Sequence, residues 1–275
     1  MELLLTISCA KRSGAKRVTA VIPYFGYLHH RRGYPISTKH NSRFLWSASS
    51  DFAKMLQVMG VDRVISVDLQ RPGQGQEACF FDSSIPVETV LSTHLMIDYF
   101  KKNIPLRNPV VIVSPDSDFT KKARKFQKGL LNSGNLDQVS LAAFIHDEHH
   151  TGPMNPLSAE LLGNVRGADV IIVDDLVNTG GTLAILCRRL VKEGARKVYL
   201  CASHGLFTGN SLELIRLLPV EKVIVTDSIP LPTTLPGESS KIVQVSIAPL
   251  LARVIEAEYF RSVGKFDDRE EYIVD

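Results

Sequence analysis

The stretch VIIVDDLVNTGGTL, from Val170 to Leu183, runs near-continuous apolar residues straight into two adjacent aspartates and a glycine-rich turn. A strand with no polar alternation is buried on both faces, which is the situation of an inner strand in a parallel sheet covered by helices. The turn Asn178-Thr179-Gly180-Gly181-Thr182 then opens a helical pattern from Leu183 onward. Strand, turn and helix in that order put the turn beyond the carboxyl end of the strand, where open α/β sheets hold their ligands.

Working outward, the same alternation repeats along the chain. Strand-like runs are read at 17–25, 62–69, 108–116, 139–145, 169–175, 197–205, 222–229 and 241–247, and helical patterns at 47–60, 93–103, 182–195 and 210–218 separate most of them. This predicts the α/β class. GVDRVISVD and GARKVYLCA each set a glycine and a basic residue ahead of a strand that follows a helix, a faint internal echo that an ordinary helix-to-strand joint also produces. With 275 residues, 44% of them hydrophobic, the chain can bury one large or two medium cores. Turn residues around Asp82–Pro86 place a boundary near Val87 to Leu91.

Composition narrows the partners. A net charge of +3, with lysines and arginines scattered among acids, predicts no nucleic-acid surface. Cys9, Cys79, Cys187 and Cys201 lie far apart with no CxxC pair, so neither a structural zinc site nor a disulfide framework is expected, and a reducing cytoplasm fits. The N-terminal MELLLTISCAKR has its basic residues after its apolar run, the reverse of a secretory signal. No stretch approaches the roughly 20 apolar residues of a membrane span. Targeting and membrane association are therefore not expected.

The turn itself is built for an anion. Gly180 and Gly181 let backbone N–H groups turn inward, Thr179 and Thr182 add hydroxyl donors, and the helix dipole adds partial positive charge. It is not a Walker A loop, because no GK[ST] follows, and it lacks the GxGxxG of a dinucleotide site. Asp174 and Asp175 beside such a cradle make sense for a sugar phosphate: carboxylates accept hydrogen bonds from the sugar hydroxyls while the turn takes the phosphate. The plainer alternative is an ordinary strand-to-helix turn with an acid near the helix start.

VDDLVNTGGTL resembles the phosphoribosyl-diphosphate loop of type I phosphoribosyltransferases. MELLLTISCAKRSGAKRVTAVIPYFGY, GVDRVISVDL, the stretch from Phe80 to Thr89, VVIVSPD, GARKVYLCASHGLFTG, VEKVIVTDSIPLP and VQVSIAPLLARVI extend the likeness. Together, in order from Met1 to about Ile255, they resemble the ribose-phosphate diphosphokinase family. The resemblance implies two phosphoribosyltransferase-like (type I) domains with parallel sheets covered by helices. Residues 1–90 would form the first and 91–247 the second, which carries the ribose-phosphate loop, while 248–275 would form a C-terminal helix and tail packing back on the first. It also implies transfer of diphosphate from ATP to carbon 1 of ribose 5-phosphate, with Mg2+ as cofactor. Asp174, Asp175, Asn178, Thr179, Gly180, Gly181 and Thr182 would hold ribose 5-phosphate, and Asp116 of VSPD would lie near the ribose and the metal. On its residues alone, Asp116 also reads as a helix N-cap.

Several positions depart from the family pattern. Where the family strand ends in Asp-Leu-His, this sequence has Asp68-Leu69-Gln70, so an amide replaces an imidazole. Where a family loop supplies a lysine and an arginine to the transferring diphosphate, this chain has Asp147 and His149 in the run His146–His150. The adenine-contacting Arg-Gln-Asp becomes His29-His30-Arg31. The family also carries, ahead of the position matched by Met1, a segment with a Phe-Ser-Asp-Gly-Glu motif that this sequence does not contain. Two readings stay open: an active diphosphokinase with a changed catalytic set (Gln70, Asp147, His149), or an associated regulatory subunit that binds ribose phosphates. A base phosphoribosyltransferase is the third and weakest, because the likeness runs well past the loop. A homo-oligomer, or a hetero-oligomer with synthetase subunits, is the implied assembly.

Overall fold

The computed structural model describes residues 1–26, 47–69, 85–107, 109–116, 119–132, 136–145, 159–231 and 241–262. The chain divides into two compact units, Met1–Leu91 with Ala257–Asp275, and Ser92–Glu256.

In the first unit β1 (Thr19–Ile22), β2 (Arg63–Val67) and β3 (Val87–Val90) form a parallel three-stranded sheet in that order. Helices α1 (Glu2–Arg12) and α2 (Ser47–Val58) belong to the same unit. Leu4 and Ile7, three positions apart and so on one face of α1, meet Ala53 and Leu56 of α2 and Val64 of β2 in a single core. The N-terminal run is thus an amphipathic helix, an element the sequence reading did not assign, and β3 is a second.

The other unit holds β4 (Val110–Ser114), β5 (Val139–Ile145), β6 (Glu160–Leu162), β7 (Asp169–Val177), β8 (Lys197–Gly205), β9 (Lys222–Thr226) and β10 (Ile242–Val245). They form one sheet in the order β10-β9-β8-β7-β4-β5-β6. All pairings are parallel except β5 with β6, an antiparallel edge the sequence reading did not foresee. Helices α3 (Thr93–Asn103), α4 (Thr120–Leu131), α5 (Gly181–Lys192) and α6 (Ser211–Leu217) connect the strands, and α7 (Ala248–Ser262) follows β10.

The apolar-on-both-faces reading is explained by two cores, one on each side of this sheet. Val170 and Ile172 of β7 pack with Val198 and Leu200 of β8 against Leu183, Leu186, Cys187 and Leu190 of α5. Ile171 and Val173 point the other way, with Tyr199 and Cys201, into the core made by Met96 and Phe100 of α3 and Phe126 of α4. Phe100 meets Phe126 edge to face at 5.5 Å, an arrangement worth about 0.5–1.5 kcal/mol beyond simple burial. β7 starts on a buried acid with both oxygens in use. Asp169 Oδ1 accepts Arg196 Nε at 2.8 Å, and Oδ2 accepts the N–H of Arg107 at 2.9 Å. The strand is therefore fixed at the edge opposite the aspartate pair.

Candidate functional site

Chain order reverses between β4 and β7. From β4 the sheet continues to β5 on one side, whereas β8, β9 and β10 follow β7 on the other. The segments leaving the carboxyl ends of β4 and β7 therefore diverge, and such a reversal leaves a crevice that open α/β sheets use for ligands. Asp116 follows β4, and Asp174 to Thr182 span the end of β7 and the start of α5. The two acidic motifs picked out in the sequence are thus brought to one crevice.

β7 outruns its neighbour. Its ladder with β4 stops at Val113 and Ile172, while pairing with β8 continues to Val177 and Gly205. Asp174 and Asp175 ride on that extension, the second of them buried. Asp174 Oδ1 turns back to accept the N–H of Asp175 at 2.8 Å. Loss of solvent pushes the Asp174 carboxyl well above the usual carboxylate range, and the negative charges of Asp175 and Asp116 push it the same way. The crevice therefore holds more negative charge than it neutralises by itself.

The turn after β7 supplies the opposite polarity. Gly180 adopts φ 77°, a left-handed conformation that glycine takes without penalty, and as the N-cap of α5 it brings no side-chain cap of its own to the N–H groups of the first turn. Those donors and the helix dipole suit a phosphate. Asn178 is held from the side, because its Oδ1 accepts the hydroxyl of Thr208. Val177 O accepts both Leu206 N–H at 2.9 Å and Phe207 N–H at 3.2 Å, so the segment after β8 backs the turn. Phe207 itself sits at φ 47°, and Gly205 leaves room for its ring where a Cβ would overlap it. Thr179 and Gly181 are exposed and Thr182 is half-buried.

Asp116 does two things at once. Its carboxylate accepts the N–H of Phe119, the residue at the start of α4, at 3.2 Å, and its charge reaches Asp174. Its carbonyl accepts the hydroxyl of Ser114 at 2.6 Å, so the loop is tied to the end of β4. Asp116 is therefore not the N-cap that its position after a strand suggested: that place belongs to Phe119, three residues on.

Sequence reasoning missed Lys122. From the first turn of α4 its ammonium donates to Asp174 O at 3.1 Å and to Ser203 Oγ at 2.6 Å, and Ser203 Oγ lies 3.2 Å from Ser92 Oγ. The only signal was its place six residues after Asp116, masked by the basic run TKKARK. In the first unit, Asp68 at the end of β2 takes φ 41°, an uncommon conformation for an aspartate, and its N–H bonds to Val90 O at 2.9 Å. The positions Gln70, Asp147, His149, His29, His30 and Arg31 lie outside the described residues.

Among the described residues, no group of three or more histidine, cysteine, aspartate or glutamate side chains is placed to hold a metal ion unaided. The donor chemistry still fits magnesium. That ion takes one or two carboxylates and completes its shell with water and substrate oxygens, and Asp116 with the aspartate pair offers hard oxygen donors whose repulsion a cation would relieve. A second cavity of about 410 Å³ lies at the amino ends of β8 and β9, lined in part by Arg196, Lys197, Glu221 and Lys241. Its cations are already committed, Arg196 to Asp169, Lys197 to Glu221 and Lys241 to Leu218 O, and it is remote from the aspartates along the strands. No helix among the described residues is long and apolar enough to cross a membrane.

Comparison with known proteins gives concordant results. Residues 135–263 match the phosphoribosyl synthetase-associated domain, and residues 1–60 match the N-terminal domain of ribose phosphate pyrophosphokinase. The ribose-phosphate pyrophosphokinase of Aquifex aeolicus is 36% identical over 255 residues, which cover 93% of this chain and 74% of that protein. The protein of the same name from Bacillus subtilis is 34% identical over 256 residues, covering 93% and 73%. The crystal structure of phosphoribosylpyrophosphate synthetase from Mycobacterium smegmatis matches with a TM-score of 0.76 at 29% identity, over 95% of this chain and 78% of that one.

Proposed function

The chain belongs to the ribose-phosphate pyrophosphokinase family, and from that premise we propose that the crevice between β4 and β7 is its ribose 5-phosphate site. The reaction is transfer of a diphosphoryl group from ATP to the hydroxyl on carbon 1 of ribose 5-phosphate. The hydroxyl oxygen forms a bond to the β-phosphorus as its proton passes to solvent, the bond from that phosphorus to the bridging α–β oxygen breaks, and AMP leaves. The similarity covers parts of both units rather than the sugar-phosphate turn alone, which favours this enzymatic reading over a purely regulatory subunit.

The observation that carries the assignment of the site is the reversal of strand order, which gathers Asp116 and the Asp174–Thr182 segment at one edge of the sheet. The N–H groups of Gly181 and Thr182 and the hydroxyls of Thr179 and Thr182 take the 5-phosphate. Asp174 and Asp175 accept hydrogen bonds from the sugar hydroxyls, which orients carbon 1 toward the incoming diphosphate. Asn178, steadied by Thr208, sets the entrance of the turn. Asp116, with substrate oxygens, would hold magnesium, which supplies charge neutralisation on the transferring diphosphate. His29, His30 and Arg31 are assigned to the adenine nucleotide, and Gln70, Asp147 and His149 to the positions that match the family's catalytic residues, all three substituted. The protein is placed in the cytoplasm and in an assembly with copies of itself or with other synthetase subunits.

Calorimetry with ribose 5-phosphate tests the site directly. Asp175→Ala and Thr182→Ala each remove a charge-assisted or buried hydrogen bond and should weaken binding by about 1–3 kcal/mol. Unchanged affinity in both variants would remove the sugar phosphate from this crevice.

A further inference from the structure

We propose that Lys122 is a positioning residue of the sugar-phosphate site, fixing from α4 the peptide plane that joins Asp174 to Asp175. The inference rests on the ribose 5-phosphate reading of the crevice and adds a residue to it.

That peptide is held at both polar ends. Its N–H, on Asp175, is bonded at 2.8 Å by Oδ1 of Asp174, and its carbonyl oxygen, on Asp174, receives the Lys122 ammonium at 3.1 Å. The location matters because β4 has already ended: the ladder that steadies β7 on that side stops at Ile172. Rotation of the plane would swing both carboxylates, since each is attached to a Cα at one end of it. Lys122 therefore acts where β7 has lost its pairing with β4 and keeps only its pairing with β8.

The lysine is specific to this task within its helix. Lys121, Lys125 and Lys128 of α4 are exposed, whereas Lys122 turns inward beside the buried Ala123 and Phe126. An ammonium drawn out of water needs acceptors, and it has the Asp174 carbonyl and the Ser203 hydroxyl, the latter at 2.6 Å and itself beside Ser92. The helix that carries Lys122 has Phe119 as its N-cap, and the N–H of Phe119 is bonded to the Asp116 carboxylate. The start of α4 thus bonds to Asp116 through the N–H of Phe119 and to the aspartate pair through Lys122, so it bears on the spacing of the two sides of the crevice.

The test compares wild type with Lys122→Met, Lys122→Arg and Ser203→Ala, by calorimetry with ribose 5-phosphate, by steady-state kinetics and by thermal melting. Lys122→Met should raise the dissociation constant and KM for ribose 5-phosphate tenfold or more while leaving KM for ATP within twofold. Lys122→Arg, which keeps a cationic donor, should recover part of the loss, and Ser203→Ala should show a smaller change in the same direction. Folded Lys122→Met with wild-type affinity for ribose 5-phosphate overturns the inference and leaves the site reading standing. Equal losses toward ATP and ribose 5-phosphate overturn it as well, by making Lys122 a general structural residue. Wild type that binds no ribose 5-phosphate overturns both. If Lys122→Met does not fold, Ser203→Ala and Lys122→Arg decide: unchanged ribose 5-phosphate affinity in both refutes the inference.

Discussion

Thr208 donates its hydroxyl hydrogen to Oδ1 of Asn178, tying the turn after β8 to the turn after β7. The bond joins two segments that are otherwise connected through Val177 O, which takes the N–H groups of Leu206 and Phe207. A phosphate cradle made of backbone N–H groups has no side-chain rigidity of its own, so its shape depends on what stands behind it. For the phosphate site proposed at Thr179–Thr182, that support is the segment 205–210, held by a buried Phe207 in a strained left-handed conformation.

Thr208→Val keeps the size of the side chain and deletes the donor. Affinity for ribose 5-phosphate should fall by about 1 kcal/mol, roughly fivefold, because the Asn178 side chain is no longer held. The melting temperature should move little, since this hydrogen bond is solvent-exposed. Titration calorimetry alongside a thermal melt checks both parts, and a large loss of stability with full binding would place Thr208 in the scaffold instead.

Arg63 is shared by two buried acids of the first unit, standing 2.9 Å from Glu88 Oε2 and 3.1 Å from Glu258 Oε2. Glu88 is 7% exposed and Glu258 8%, and one oxygen of each has no hydrogen-bond partner. Among the described residues, Arg63→Met leaves two neighbouring buried carboxylates to be offset by Arg261, 3.8 Å from Glu88 and 3.7 Å from Glu258, and by the more exposed Arg17, 3.7 Å from Glu258. The expected cost is about 3 kcal/mol, the low end for breaking a buried pair because Arg63 is partly exposed. Urea denaturation measures it, and adding Glu88→Gln to the same protein should restore part of the loss.

Asp174 predicts a pH signature of the ligand-free protein. Its folded pKa is raised, first by desolvation and then by Asp175 and Asp116, above an unfolded value of about 3.9. A raised carboxyl favours the folded state below the unfolded pKa, and that contribution is lost as pH climbs through the folded one. Asp174→Asn removes this loss. The melting temperatures of variant and wild type should therefore coincide near pH 4 and separate as pH rises, with the variant the more stable at neutral pH. The same variant should bind ribose 5-phosphate poorly. Parallel melting curves across the pH range would show that Asp174 carries no such strain.

How much of this was legible in the sequence follows from where the information sits. The run from Val170 to Thr182 announced its strand, turn and helix because each signal is local: unbroken apolar residues, two glycines and a following helical period. The meeting of Asp116 with Asp174 depends on β4 lying beside β7, and strand order is a pairing of distant segments that no local pattern states. α4 was hidden by its basic residues, although Ala123, Phe126 and Leu130 mark a helical face, and Lys122 looked like one more solvated charge. β3, read as Val-Glu-Thr-Val, resembles a turn flank until Arg63 is seen to accompany Glu88. β6 is only three residues long, too short to show a period.

The central claim is that this chain transfers a diphosphoryl group onto the sugar phosphate held by the Asp174–Thr182 segment. Phosphorus-31 NMR of the protein with ATP, ribose 5-phosphate and magnesium follows every species at once. AMP and phosphoribosyl diphosphate should appear one for one, with no ADP, and Asp175→Ala should suppress both. Formation of ADP in place of AMP, or a wild-type protein that binds ribose 5-phosphate yet leaves ATP intact at every pH from about 6 to 8, would contradict the account.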